Sequence, residues 1–221
     1  AENLQWMDLG NGWKVMEKIL PKPHNTGGCF SVSYKVQNLK DGTIAFLKAL
    51  DYSRAMRERD PVQALKEMTD LYVFERDLLQ RCKEKRLHRI ITPILDGRID
   101  LPEFGDFGAV QYLIFELATG DIRDVLENFQ KLDLLWCLNS LHNVALGLQQ
   151  LHQTGVAHQD IKPSNILSTN TDGTKITDLG TAADRNSRAP NEARRIAGDT
   201  SYAPLDLSYP DSGVDGFTRR Y

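Results

Sequence analysis

The chain has 221 residues, 41% of them hydrophobic, enough for one large domain or for two small lobes sharing a cleft. Its 27 basic and 30 acidic side chains leave a net charge of −3, which excludes an electrostatic drive toward nucleic acid or an anionic membrane surface. Cys29, Cys82 and Cys137 are odd in number, widely spaced and free of C-x-x-C pairing, so neither a disulfide framework nor a zinc site is expected and a reducing, cytoplasmic location is.

The first third reads as short strands around turns: Trp13 to Leu20, Phe30 to Val36, and Thr43 to Leu50, with Asp41-Gly42 as the turn before the last. Asp60 followed by Pro61 is an N-cap with proline at the first helical position. The stretch from there to about Lys85 carries Leu65, Met68, Tyr72 and Leu79 at helical spacing. Two more strands, Ile90 to Ile99 and Ala109 to Leu117, flank a loop with Pro102 and two glycines. No apolar run approaches the roughly 20 residues that cross a bilayer, since Glu116 interrupts even Tyr112 to Ala118. The first residues, from Ala1, also lack the apolar core of a secretory signal. From Asp121 the pattern turns helical, with Leu138, Leu141, Ala145, Leu148 and Leu151 as the expected apolar face of a helix ending at Gly155. Beyond Asp178 periodicity is lost, and Arg185, Arg188, Arg194 and Arg195 mark a long basic loop.

The segment His158-Gln159-Asp160-Ile161-Lys162-Pro163-Ser164-Asn165 places an aspartate, a lysine and an asparagine within six positions of a loop directly after that helix. Phosphoryl transfer needs those three types together: a carboxylate to orient the attacking hydroxyl, an ammonium to neutralise the transferred phosphate, an amide oxygen to hold a metal ion. Asp178, in Thr177-Asp178-Leu179-Gly180, follows at a distance that leaves room for a short hairpin turning at Asp172-Gly173. Lys48 closes the strand Ile44-Ala45-Phe46-Leu47-Lys48. Glu75 lies in the apolar stripe of the long helix, where a buried carboxylate needs a cation; Glu67 is the alternative.

In this order the segments resemble the eukaryotic-type serine/threonine protein kinase family: its H-R-D-x-K-P-x-N loop, with Gln159 for arginine, its D-F-G with Leu179, and its V-A-I-K lysine. The resemblance runs from about Trp13 to Tyr221. It implies an α+β, two-lobed fold: residues 1–118 as an antiparallel five-stranded N-lobe with one helix, and 119–221 as a mainly helical, incomplete C-lobe. It implies ATP and Mg2+ as cofactors, serine or threonine hydroxyls of a protein as acceptor, and catalytic roles for Asp160, Lys162, Lys48, Glu75 and Thr200. Thr200, in Gly198-Asp199-Thr200-Ser201-Tyr202-Ala203-Pro204-Leu205, is expected to hydrogen-bond Asp160 and Lys162. Gly27, Gly28, Lys48, Glu116, Ala118, Asn165 and Asp178 are expected to hold the nucleotide, with Asn165 and Asp178 on the metal. Phe115 takes the gatekeeper position, and Asp121 is placed by the ribose.

Four departures accompany the match: a glycine-poor loop around Gly27-Gly28, Phe46 where a small residue packs on adenine, Leu205 in place of a glutamate, and no further C-lobe helices. They motivate a second reading, a pseudokinase or nucleotide-binding scaffold, and the expectation that the remaining C-lobe or a partner completes the lobe. A small-molecule kinase of the aminoglycoside type shares the Asp and Asn logic but is disfavoured by Lys162-Pro163-Ser164 and the Ala203-Pro204 segment. Gln159 cannot pair with a phosphate as an arginine does, so activity is expected to be independent of phosphorylation between Asp178 and Leu205.

Overall fold

A computed structural model describes residues 1–20, 31–53, 55–101, 108–128, 133–170, 172–187 and 198–203. The chain divides into two compact units, residues 1–69 with 92–117, and residues 70–91 with 118–221.

In the first unit, β1 (Trp13–Ile19), β2 (Ser31–Asn38) and β3 (Ile44–Leu50) form the expected antiparallel meander. The long helix α1 (Pro61–Glu84) follows, then β4 (Pro93–Asp100) and β5 (Ala109–Glu116). The sheet order is β1-β2-β3-β5-β4, every pair antiparallel. Alternation puts Val15, Val32, Tyr34, Val36, Ala45, Leu47, Ala49, Tyr112 and Ile114 on one buried face. That face is closed by the N-terminal segment, which shows no strand or helix periodicity. Leu4 and Leu9 enter the core, and the Tyr34 hydroxyl donates to the carbonyls of Ala1 (2.7 Å) and Glu2 (2.8 Å). Gly97 is where the Tyr112 ring crosses β4: a Cβ there would lie 2.5 Å from its Cζ.

Helix α1 starts as its sequence dictates. The Asp60 carboxylate accepts from the Gln63 N–H (3.1 Å), and Pro61 needs no donor at the first position. Met68, Glu75, Leu78, Leu79 and Cys82 are buried along it, and burial pushes the Cys82 thiol up to about 12. The boundary between the two units falls inside this helix, after Thr69.

The second unit continues with β6 (Gly120–Asp121), α2 (Ile122–Asn128), α3 (Leu134–Gln153), β7 (Val156–Ala157), β8 (Ile166–Thr169), β9 (Gly173–Ile176) and β10 (Ala183–Asp184). Asp133 caps α3 through the Leu135 N–H, and Gly155, at φ +80°, turns the chain out of it. The inward face of α3 differs from the expected one. Leu138 and Leu141 are 55% and 67% exposed, whereas Gly147 and Leu151 are buried, with Cys137, Ser140 and Val144 half-buried on the same 3-4 spacing. The reason is closeness: a Cβ on Gly147 would stand 2.8 Å from Ile176 Cδ1 and 3.2 Å from the Arg89 carbonyl. Small residues let α3 lie flat on β9, and the leucines are left outside.

Leu151→Ala should therefore cost about 2–5 kcal/mol through lost burial and a residual cavity, while Leu141→Ala stays within about 0.5 kcal/mol of the parent. Urea unfolding of both variants checks this, and comparable losses would contradict the assigned inward face.

Candidate active site

The catalytic-type loop is held by the turn that leaves α3. His158 is 2% exposed, and its Nε2 faces the Thr177 carbonyl at 2.9 Å. A carbonyl only accepts, so Nε2 carries the proton and Nδ1 accepts from the Asp160 N–H at 3.3 Å. The imidazole is thus neutral and fixed by both nitrogens. Burial, the largest effect, holds its pKa below the ordinary histidine value of 6.5, against the opposing pull of Asp178 and Asp160. Gln159 and Asp178 both take left-handed backbone (φ +65° and +66°), an uncommon conformation for residues with a side chain and one that concentrates at working sites.

Asp160, Lys162 and Asn165 converge as a buried polar cluster, 8%, 6% and 4% exposed. Lys162 Nζ is 2.9 Å from Asp160 Oδ2, and Asn165 Nδ2 donates to Asp160 Oδ2 (2.9 Å) and to its carbonyl (2.8 Å). The cluster rests on a single 3-10 turn, Pro163–Asn165, in which Pro163 supplies the fixed φ of the first position. The strands β8 and β9 form the expected hairpin, closed where the Thr169 hydroxyl donates to the Gly173 carbonyl at 2.9 Å. It returns the chain to the loop, where the Thr177 N–H donates to the Asn165 carbonyl at 3.0 Å. Asp178 follows directly. Glu75, 7% exposed, brings its carboxylate near the same turn: a Cβ on Gly180 would lie 3.4 Å from Asp178 Oδ1 and 3.8 Å from Glu75 Oε2.

The donor set suits a magnesium ion. The bonds of Asn165 to Asp160 use its amide nitrogen and not its oxygen, and an amide oxygen and the Asp178 carboxylate are the hard oxygen donors such an ion takes. Among the described residues there is no group of three or more His, Cys, Asp or Glu side chains able to hold a metal ion.

One expectation is corrected by the geometry. The contact assigned to Thr200 is made by Asp199, whose N–H donates to Asp160 Oδ1 at 2.7 Å and whose carboxylate lies 3.6 Å from Lys162 Nζ. Thr200 is exposed. The segment is too irregular for spacing to fix a one-residue register, and two adjacent polar residues were both available. Asp121 uses its carboxylate to accept from the Asp124 N–H (3.0 Å), while Asp124 accepts from Asp121 in return (3.0 Å), a reciprocal cap of α2.

In the first unit, Lys48 is half-buried on β3, on the sheet face opposite the core, paired across the ladders with Ser33 and Leu113. Phe46 lies two residues along that face and meets Phe115 at 6.4 Å between ring centroids, tilted by 48°. Glu116 ends β5 opposite Ala45. Ala118 is half-buried in the second unit. Gly27, Gly28 and Leu205 lie outside the described residues.

An ion pair that spacing did not reveal ties α1 to the strand after Asp178. Arg81 donates to Asp184 at 2.8 Å. Burial pushes the Asp184 carboxyl up, but Arg81, the Asn186 N–H and the Ser187 hydroxyl outweigh it and hold it below the ordinary range.

The sequence matches a protein kinase domain over residues 26–208, and the chain belongs to that family. Among its curated relatives, CTD kinase subunit alpha of Saccharomyces cerevisiae is 29% identical over 181 residues, 81% of this chain and 30% of the relative. Serine/threonine-protein kinase PknA of Mycobacterium tuberculosis is 34% identical over 96 residues, 43% and 22% of the two chains. Mitogen-activated protein kinase 5 of Arabidopsis thaliana is 29% identical over 181 residues, 80% and 44%. The chain thus spans less than half the length of each of these relatives. Among the described residues no helix is long and apolar enough to cross a membrane.

The neutral, buried His158 makes a prediction about acid stability. Its folded pKa is depressed, so the unfolded state binds the proton first, and the stabilisation is complete above about pH 6.5 and lost as pH falls below it. His158→Asn should be less stable at pH 7 yet show a flatter stability profile from pH 7 to 5 in urea titrations. An unchanged slope would contradict the assignment.

Proposed function

We propose that the protein transfers the γ-phosphoryl group of ATP to serine or threonine hydroxyls of a protein substrate. The observation that carries this reading is the buried convergence of Asp160, Lys162 and Asn165 beside Asp178. Asp160 orients the attacking hydroxyl and receives its proton as the new O–P bond forms and the bond from the γ-phosphorus to the β,γ-bridging oxygen breaks, ADP leaving with that electron pair. Lys162 neutralises charge on the transferred phosphate, and the fixed loop supplies positioning rather than covalent chemistry. Asn165 and Asp178 would hold Mg2+, which when bound neutralises phosphate charge. Lys48 and Glu75 are assigned the lysine and glutamate roles of the family, and Gly27, Gly28, Glu116 and Ala118 the nucleotide contacts. The free thiols of Cys82 and Cys137 support a cytoplasmic location. The acceptor's identity and any completing partner belong to the protein as a whole. Nothing in the charge balance favours a nucleic-acid or membrane partner.

The protein should transfer label from γ-labelled ATP to a generic Ser/Thr substrate, and Asp160→Asn should lower kcat about 10²–10⁴-fold, the range for a lost general base. Mg-ATP at a hundredfold excess over Kd should add about 2.7 kcal/mol of stability, a gain that Asp178→Ala largely removes. Stabilisation without transfer would favour the scaffold reading, and absence of both would overturn the nucleotide site.

A further inference from the structure

Both oxygens of the Asp160 carboxylate are engaged, and one engagement comes from outside the loop. Oδ2 takes Asn165 and Lys162, and Oδ1 takes the Asp199 N–H at 2.7 Å. Gly198 makes that approach possible: a Cβ there would lie 2.5 Å from the Gln159 carbonyl and 2.6 Å from Asp160 Oδ1. Once the backbone is so close, the Asp199 side chain reaches the same ammonium as Asp160. Lys162 Nζ therefore stands between two carboxylates, at 2.9 and 3.6 Å, while being 6% exposed. The Asp199 carboxylate is held from its other end by the Ser201 N–H on Oδ1 (3.0 Å), a bond that is also the main reason its pKa is lowered.

We propose that Asp199 is a positioning residue that shares Lys162 with Asp160 and thereby weakens the site's hold on the terminal phosphate of the nucleotide. This rests on the kinase reading, in which Lys162 meets the γ-phosphate. A single ammonium flanked by two carboxylates carries a local balance of −1, so an arriving phosphate meets a lysine already neutralised and a second negative charge beside it. The backbone and side chain of Asp199 act in different ways. The N–H orients Asp160 whatever the side chain is, whereas the carboxylate, braced by the Ser201 N–H, is the part that reaches Lys162.

That separation makes the inference testable by binding alone. The protein and its Asp199→Asn and Asp199→Ala variants are titrated calorimetrically with Mg-ADP and with Mg2+ plus a non-hydrolysable ATP analogue. Removing the carboxylate should tighten the analogue about three- to tenfold, the scale of one partly exposed charge acting on a buried one, and leave ADP unchanged. Asp199→Glu, which restores the charge, should bring the discrimination back toward that of the parent. Equal tightening of both nucleotides, no change, or weaker analogue binding in the neutral variants would overturn the inference and leave the kinase reading standing. Failure of the parent to bind either nucleotide would overturn both.

Discussion

A buried ammonium and a buried carboxylate 2.9 Å apart are the pair around which the second unit is arranged. Taking two charges out of water costs several kcal/mol each, and their attraction repays that only when the remaining lone pairs and protons are also satisfied. Lys162 and Asp160 meet that condition through their neighbours. Asn165 joins Lys162 on Oδ2, the Asp199 N–H takes one position on Oδ1, and His158 accepts from the backbone N–H of Asp160. An apolar filling of the same volume is often as stable or more so, so such a pair is weak evidence of a role in stability.

The features around the pair follow from holding it still. Gln159 and Asp178, next to Asp160 and next to Thr177 in turn, take left-handed backbone, a local cost that the surrounding structure must outweigh. The β8–β9 hairpin returns the chain to the loop, and Ile176 connects it to the rest of the unit: its N–H reaches the Arg89 carbonyl at 2.9 Å and its carbonyl the Ile91 N–H at 2.8 Å. The Ile176 side chain packs over Gly147 of α3, so the hairpin and the helix meet at one close contact. The Arg81–Asp184 pair anchors the strand that follows.

What was legible in the sequence was local. The Asp60-Pro61 cap and the alternation in β2 and β3 each encode their geometry within a few residues and are found where expected, and the closeness of Asp160, Lys162 and Asn165 follows from their spacing in one short loop. What was not legible depends on partners far along the chain. The segment from Ala1 to Leu9 has no periodicity of its own, and only the Tyr34 hydroxyl and the open sheet face give it a place. The inward face of α3 was hidden because hydrophobicity marks burial but not closeness. Leu138 and Leu141 look like core, whereas Ser140 and Gly147 are where the backbone can approach. Asp199 and Thr200 are adjacent polar residues of an irregular segment, and such a segment offers no period to fix its register.

The central claim is that the Asp160–Lys162 pair serves phosphoryl transfer and not stability, and a double replacement separates the two. Asp160→Asn with Lys162→Met, measured by urea unfolding and by single-turnover phosphoryl transfer, should leave stability within about 1 kcal/mol of the parent or above it. Lys162→Met alone, which strands a buried carboxylate, should lose about 3–5 kcal/mol. Transfer should fall by about 10³-fold or more in the double variant. A double variant that loses several kcal/mol, or one that still transfers phosphate at the parent rate, would contradict the account.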